Sequence, residues 1–243
     1  MCTVTFTPRK QGYALAMNRD EKLTRVAGLP PSRKMVHGRE VLAPSEPGGG
    51  TWIALNGGGT TLAIINWYAI AATVHFAPVS RGRVVSATCT SSTSKLVQQT
   101  LAQLPLARIN PFRLIAIFPA AHEIVEWRWN LRKLTQKRHT WQTQQWVSSG
   151  FDENSSQRIR GETFRQALRQ KSAGSRAWLR RLHCSHLPVP GPFSICMHRE
   201  DARTVSYTEV VVSKSDAAMS HCIGPPCKCR NEYLTVKTNL RAM

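Results

Sequence analysis

The sequence predicts an α+β fold in which antiparallel hairpins supply most of the framework. Two stretches, 2–17 and 51–66, each contain two apolar or alternating segments around a turn, which is typical of β-hairpins. A third stretch, 94–104, carries Leu96, Val97, Leu101 and Leu104 on one helical face. The 243 residues are enough for one large domain with a hydrophobic core, and 42% of them are hydrophobic, an ordinary content for a globular protein.

The first hairpin brings a cysteine beside a cluster of charges. Residues 2–6 and 13–17 read as strands around a turn at 8–12, so the segment 18–21, Asn-Arg-Asp-Glu, returns beside Cys2. If Met1 is removed, Cys2 carries both a thiol and an α-amine. That amine, with an ordinary pKa of about 7.7–8.0, can accept the thiol proton and activate the nucleophile. The alternative is a buried cysteine next to a solvated turn.

Several short motifs together resemble one family. They are Met-Cys-Thr at 1–3, Asn-Arg-Asp-Glu at 18–21, Pro-Gly-Gly-Gly-Thr-Trp-Ile at 47–53, Ile-Asn-Trp at 65–67, Ser-Arg-Gly at 80–82 and Tyr-Thr-Glu at 207–209. The combination resembles the NRDE proteins, or Transport and Golgi organisation 2 family, over roughly residues 1–212. That family looks like a branch of the N-terminal-nucleophile (Ntn) hydrolases. The resemblance implies a four-layer αββα sandwich of two antiparallel sheets and an enzyme that cleaves amide bonds.

The resemblance also implies roles for individual residues. Cys2 would attack, Asp20 would hold the α-ammonium, Arg19 would polarise the thiol, and Asn66 would stabilise the oxyanion, as an asparagine after a glycine-containing hairpin does in bile-salt-hydrolase-like enzymes. Asn18, Trp52 and Ser149 would contact the substrate.

Two positions depart from the hydrolases. Met17 precedes Asn18 where they carry an arginine, and Ser149 stands where they carry an asparagine. Both departures count against full hydrolase activity.

The middle of the chain contains a loop-like segment and then regular elements. Prolines and glycines break any periodicity over 22–50, which predicts loops. Strands are predicted at 51–56 and 60–66, around Gly57-Gly58-Gly59, and at 113–118 and 123–129. The helix at 94–104 ends at Pro105. The Ser80-Arg81-Gly82 motif is interpreted as a loop without assigned chemistry.

The charge is strongly positive, at +19. Residues 128–181 hold thirteen basic and three acidic residues, so the segment contributes +10, with tryptophans among them. Such a pattern can bind single-stranded nucleic acid or an anion such as an acyl-coenzyme A or the propionates of haem. The favoured interpretation is core tryptophans with solvated arginines, so no specific nucleic-acid partner is expected.

The C-terminal part is predicted to close the domain and then become irregular. Strands at 193–197 and 204–212 would form a terminal hairpin, giving one domain over 1–212 and a disordered tail over 213–243. His221, Cys222, Cys227 and Cys229 lack the paired spacing of structural zinc sites, so neither a metal nor a cofactor is expected. Seven irregularly spaced cysteines, no long apolar run and no visible signal predict a cytoplasmic protein, with organellar or Golgi association left open.

Two hypotheses about function follow. The first is a cysteine Ntn amidohydrolase that acts on a linear amide other than a peptide. The second is a non-enzymatic carrier of lipid, acyl-coenzyme A or haem, related to Golgi organisation. The sequence does not predict an oligomeric state.

Overall fold

The protein is built on two facing antiparallel sheets, seen in a computed structural model that describes residues 2–230 and 232–240. In chain order the strands are β1 (Cys2–Arg9), β2 (Gly12–Lys22), β3 (Leu29–Val36), β4 (Arg39–Ser45), β5 (Ile53–Asn56), β6 (Thr61–Asn66), β7 (Phe112–Phe118), β8 (Glu123–Trp129), β9 (Leu134–His139), β10 (Gln144–Ser148), β11 (Ala202–Val212), β12 (Asp216–Ile223) and β13 (Leu234–Asn239). The helices are α1 (Gly82–Thr88), α2 (Ser94–Ala102), α3 (Glu153–Leu168) and α4 (Arg176–His183). One sheet has the order β10-β1-β2-β11-β12-β13, and the other runs β3 to β9 in sequence.

The main hydrophobic core lies between the two sheets. Val4, Phe6 and Leu15 of the first sheet are fully buried in one cluster with Ile115 and Ile117 of the second. These residues alternate with side chains that face away from the core, as strand geometry requires. The Tyr13 hydroxyl donates to the Gly59 carbonyl (2.7 Å) and lies 2.6 Å from Thr61 Oγ1, which ties the two sheets together.

Helices cover the outer faces of both sheets. Trp178 and Leu179 of α4 pack on Ala14 and Ala16 of β2. On the other sheet, Trp127 Nε1 donates to Gln98 of α2 at 2.7 Å. The four layers confirm the predicted α+β sandwich. Among the described residues no helix is both long and apolar enough to cross a membrane.

The prediction of loops over 22–50 is wrong, because β3 and β4 occupy most of that segment. β3 is the edge strand of the seven-stranded sheet and is mostly exposed. An edge strand tolerates Pro30 and Pro31 because one row of its backbone groups has no ladder partner. The prolines therefore mark the edge of the sheet.

The predicted irregular tail is also wrong over 216–223 and 234–239. β12 pairs with β11, and β13 pairs with β12, so they extend the first sheet beyond β11. Cys222 and Cys229 form a disulfide beside them. The predicted strand at 193–197 is instead an irregular buried segment, and β11 forms its hairpin with β12.

Candidate functional site

Cys2 lies at the head of β1, between two neighbouring strands. Across the sheet it faces Arg19 of β2 on one side and Ser148 of β10 on the other. Directly paired residues of an antiparallel ladder place their side chains on the same face. The Cys2, Arg19 and Ser148 side chains therefore share the face that looks toward the second sheet. Cys2 is only 7% exposed.

A cavity of about 320 Å³ opens in front of Cys2. Both sheets and the segment before α1 contribute to its wall. The lining residues are Cys2, Arg19, Glu21, Arg25, Glu46, Thr51, Trp52, Ile64, Asn66, Pro78, Val79, Ser80, Arg81, Gly82 and Asn110. The structure thus brings four of the predicted site residues to one cavity: Cys2, Arg19, Trp52 and Asn66.

Arg19 is held in place by an aromatic ring and two carboxylates. Its guanidinium lies 4.2 Å from the centre of the Trp52 ring, and its Nη2 is 2.7 Å from Glu46 Oε1 and 3.4 Å from Glu21 Oε1. Arg25 contacts the same two glutamates. Arg19 is 3% exposed, so the stack fixes a cation beside the thiol.

The Ser-Arg-Gly motif acquires a location that the sequence did not predict. The Thr51 amide donates to the Gly82 carbonyl at 3.3 Å, and a side chain at Gly82 would meet Thr51 N at 3.0 Å. A larger residue would crowd the Thr51 backbone, so glycine favours this close approach of the two backbones. It brings the neighbouring Arg81 into the cavity wall, where its Nη1 donates to the Pro111 carbonyl at 3.3 Å. Burial lowers the pKa of Arg81.

The electrostatic environment of the Cys2 thiol contains opposing influences. Burial has the largest effect and raises the pKa of Cys2, and the nearby Asp20 and Glu21 carboxylates raise it further. The Arg19 cation acts in the opposite direction. The resting thiol is therefore mostly protonated at neutral pH, and an attack by Cys2 needs a nearby base.

Asn18 does not line the cavity. It lies one residue before Arg19 on β2 and so points to the opposite face of the sheet, toward α4. Its Nδ2 donates to the carbonyls of His183 (2.9 Å) and Ile195 (2.8 Å), and its Oδ1 lies 3.0 Å from His183 Nδ1. This geometry contradicts the predicted substrate contact, because these bonds hold α4 and the irregular segment at 193–197 against β2.

Asp20 also faces the helices, in a buried ion pair. Its Oδ2 is 3.1 Å from Nη1 of Arg160 in α3, and its Oδ1 accepts from the Thr204 hydroxyl at 2.7 Å. Arg160 also donates to Thr3 Oγ1 (2.8 Å) and to the Pro192 carbonyl (3.2 Å). Both ion-pair partners are fully buried. The expectation of solvated arginines over 128–181 is therefore wrong for Arg160.

The predicted site residues Asn66 and Ser149 differ in their placement. Asn66 lines the cavity, and its Nδ2 donates to the Tyr68 hydroxyl at 2.6 Å. Ser149 is buried in the turn before α3, where its Oγ accepts from the Phe151 amide at 3.3 Å, and it is not part of the cavity wall. The neighbouring Ser148 shares the face of Cys2, and its buried Oγ has no hydrogen-bond partner among the described residues. Ser148 could not be identified from the sequence, because its place opposite Cys2 depends on the pairing of β1 with β10.

A second cavity of about 200 Å³ lies on the other side of the Arg19–Trp52 stack. His221 of β12 lines it and donates to or accepts from Thr208 Oγ1 at 2.9 Å. Burial lowers the pKa of His221 to about 4, and Arg19 acts in the same direction. The imidazole is therefore neutral at pH 7. Its position could not be predicted while residues 213–243 were interpreted as a tail.

With this geometry in hand, comparisons with known proteins identify the family. Residues 1–175 match the family described as Transport and Golgi organisation 2. The chain belongs to this family. No functionally curated protein matches the sequence.

Solved structures with a similar fold are Ntn hydrolases. A mutant of the conjugated bile acid hydrolase from Clostridium perfringens superimposes with a TM-score of 0.59 at 10% identity, over 100% of this chain and 97% of that one. Penicillin V acylase from Agrobacterium tumefaciens superimposes with a TM-score of 0.54 at 11% identity, over 93% and 84% of the two chains. At such identities the likeness establishes the fold alone.

Proposed function

We propose that this protein is a cysteine N-terminal-nucleophile amidohydrolase that acts on a linear, non-peptide amide with an anionic group. The observation that carries the proposal is the position of Cys2 at the head of β1, with its side chain on the face of Arg19 and in the wall of the 320 Å³ cavity. The proposal requires that removal of Met1 leaves the α-amine on Cys2.

The reaction follows from the groups around the thiol. The α-amine takes the proton of the Cys2 thiol as the sulfur attacks the amide carbonyl carbon. The resulting oxyanion is stabilised by the Asn66 amide. When the C–N bond breaks, the proton passes to the departing amine and leaves a thioester on Cys2. Water then hydrolyses the thioester and restores the thiol.

The proposed role of Asp20 depends on where its carboxylate lies. Its carboxylate lies on the helical side of the sheet, one residue beyond the position opposite Cys2. The α-amine belongs to the backbone of Cys2, and either face of the strand can reach it. Asp20 therefore stabilises the α-ammonium that forms during attack, and Arg160 and Thr204 hold the carboxylate in place.

The preference for an anionic substrate rests on Arg81. Arg19 and Arg25 are each within 4 Å of Glu21 and Glu46, so their charges are largely compensated. Arg81 forms no ion pair within 4 Å among the residues that the structure describes. A carboxylate or phosphate on the substrate would supply the missing countercharge.

Intact-mass analysis with timed iodoacetamide labelling tests the first step. We expect loss of Met1 and rapid labelling of Cys2 at neutral pH, distinguished by peptide mapping from labelling of the exposed Cys227, and the rapid label on residue 2 should be lost in Cys2→Ser. The matched control is Cys89→Ser, which removes another buried free thiol and should leave the fast label unchanged. Retention of Met1, or labelling that is indifferent to Cys2, would contradict the proposal.

Turnover is tested with paired linear amides that differ only in a carboxylate. We expect hydrolysis of the anionic member, complete loss in Cys2→Ser, and a raised KM with little change in kcat in Arg81→Gln. Equal rates for the two members would contradict the role of Arg81.

A second candidate is a carrier that binds the same anionic ligands without chemistry. Burial raises the pKa of Cys2, which favours this alternative if the α-amine is absent. In that case Cys2→Ser would retain full affinity for an acyl-coenzyme A or haem, and Arg81→Gln would lose it.

A further inference from the structure

Four side chains with soft or imidazole donors converge outside the cavity of Cys2. They are His186, Cys196, His198 and Cys227, and their donor atoms all lie within 4.8 Å of one another. His198 Nε2 is 3.1 Å from His186 Nε2, 3.6 Å from Cys196 Sγ and 3.5 Å from Cys227 Sγ. All four residues lie beyond the segment 1–175 that matches the family.

Hydrogen bonding alone does not account for this convergence. One imidazole nitrogen carries either a single hydrogen or a single lone pair, so it satisfies one partner. Three neighbours crowd around His198 Nε2. A cation at the centre of the group would instead be contacted by all four donors at once.

The distances from His198 Nε2 are close to the ligand–ligand distances of a tetrahedral zinc site. Zinc binds thiolate sulfur at about 2.3 Å and imidazole nitrogen at about 2.0–2.1 Å. Tetrahedral angles then separate two nitrogens by about 3.3 Å, and a nitrogen from a sulfur by about 3.6 Å. The three distances from His198 Nε2 lie close to these values. Two thiolates and two imidazoles also select zinc over magnesium or calcium, which prefer oxygen ligands.

We propose that His186, Cys196, His198 and Cys227 form a structural zinc site. Four protein ligands complete the coordination and leave no position for a reacting water, so the site stabilises the fold. This proposal replaces the expectation that the chain has no metal. The zinc ligands considered from the sequence are separated here, because Cys222 and Cys229 are joined in a disulfide.

The surrounding backbone holds the ligands in place. The Cys196 amide donates to the Ser185 carbonyl at 3.0 Å, and the Met197 amide donates to Thr204 Oγ1 at 2.9 Å. Cys227 lies in the short 3₁₀ turn Pro226–Lys228 and is exposed. Zinc would therefore join the irregular segment after α4 to the segment after β12.

The site would also support the helical face of β2. The segment that carries Cys196 and His198 supplies the Ile195 carbonyl to Asn18 and the Pro192 carbonyl to Arg160. Fixing that segment with a metal would therefore stabilise the contacts that Asn18 and Arg160 make.

Native mass spectrometry of the full chain, purified without chelator, tests the proposal. We expect one zinc ion per chain and a Tm that falls when zinc is removed by a chelator. Replacing zinc with Co²⁺ should give the thiolate charge-transfer and intense d–d bands of a tetrahedral site. A chain without stoichiometric metal after incubation with zinc would overturn the proposal, as would a Cys196–Cys227 disulfide found by peptide mapping.

Two variants sharpen the test. Cys227→Ser removes the exposed ligand, which limits the risk of misfolding, and should abolish stoichiometric zinc and weaken the cobalt bands. Cys184→Ser removes a free thiol of the same region that is not among the four donors, and it should bind metal like the wild-type chain. Equal loss of zinc in both variants would contradict the assigned ligands.

Discussion

The two faces of β2 have different roles, although the residues of the two faces alternate along one strand. Arg19 points between the sheets, where it stacks on Trp52 beside Cys2. Asn18 and Asp20 point to the helices, where they bond to α4 and α3. The Asn-Arg-Asp motif therefore places one cation, Arg19, in the cavity. The residues on either side of it, Asn18 and Asp20, hold the helices. The comparison separates Asn18 and Asp20, which anchor the helical side of the sheet, from Arg19, which acts on the Cys2 thiol. Under the proposed function Asp20 also stabilises the α-ammonium of Cys2.

The largest effect on stability should come from breaking the buried ion pair. In Arg160→Met the Asp20 carboxylate keeps its charge without its partner, and we expect the free energy of unfolding to fall by about 3–5 kcal/mol. Urea denaturation at pH 7 measures this loss.

The double variant Asp20→Asn with Arg160→Met is the control for charge. It carries no uncompensated carboxylate, so it should recover part of the lost stability. A loss below about 1 kcal/mol in Arg160→Met would contradict the importance of the pair, since exposed ion pairs contribute that much.

The next effect should come from Asn18. Asn18→Ala leaves the carbonyls of His183 and Ile195 without their donor, and we expect a loss of about 2–3 kcal/mol in the free energy of unfolding. Asn18→Asp keeps an oxygen acceptor but donates to neither carbonyl, so it should also be destabilised. In both variants the rate of Cys2 alkylation should stay unchanged under native conditions. A large change in the alkylation rate without a change in stability would show that Asn18 acts on the Cys2 thiol.

Much of the framework was predictable because its strands are buried and alternate. The hairpin of β1 and β2 and the strands β5 to β8 were all predicted from such patterns. Six strands were missed. β4 and β12 are interior strands, whereas β3, β9, β10 and β13 lie at sheet edges, and the side chains of β3, β9 and β13 are largely exposed and polar. Such strands carry little apolar signal, because only one neighbour and one face hold them.

The candidate site was predictable only in part, for a geometric reason. Cys2 and Arg19 could be paired from the hairpin alone. The face of Asn18 could also have been inferred, since its neighbour Arg19 was assigned beside Cys2. Arg81 and the zinc ligands could not be placed, because they come from loops whose backbone path depends on long-range contacts. Arg160 looked solvated because a helix rich in arginine gives no sign of which one is buried.

A pH dependence should arise from His183, which lies between Asn18 and Thr5 on the helical face. Burial lowers the pKa of His183 to about 3, and Arg160 acts in the same direction. Because the folded pKa lies below the unfolded value of about 6.5, His183 stabilises the fold fully above pH 6.5. This contribution is lost as the pH falls toward 3, and about 2 kcal/mol is gone at pH 5.

Comparison with His183→Gln isolates this contribution. Glutamine does not titrate, so the difference in unfolding free energy between the wild type and the variant should shrink by about 2 kcal/mol between pH 7 and pH 5. His221 titrates equally in both proteins and cancels. A difference that stays constant with pH would show that His183 is not a neutral buried group.

The smallest effect on stability, and the largest on the thiol, should come from Arg19→Met. Methionine keeps apolar contact with Trp52 but loses the cation–π interaction and the contacts with Glu21 and Glu46. Both glutamates stay paired with Arg25, so we expect a loss of only about 1–2 kcal/mol. Burial raises the pKa of Cys2, and Arg19 partly offsets that rise. Without the cation the thiolate fraction falls, and alkylation of Cys2 at neutral pH should slow several-fold.

Arg25→Gln is the matched control, because it removes a more exposed guanidinium from the same two glutamates and should leave the rate near that of the wild type. Stability losses in Arg19→Met as large as those in Arg160→Met, with unchanged alkylation, would remove the distinction between the two faces of β2.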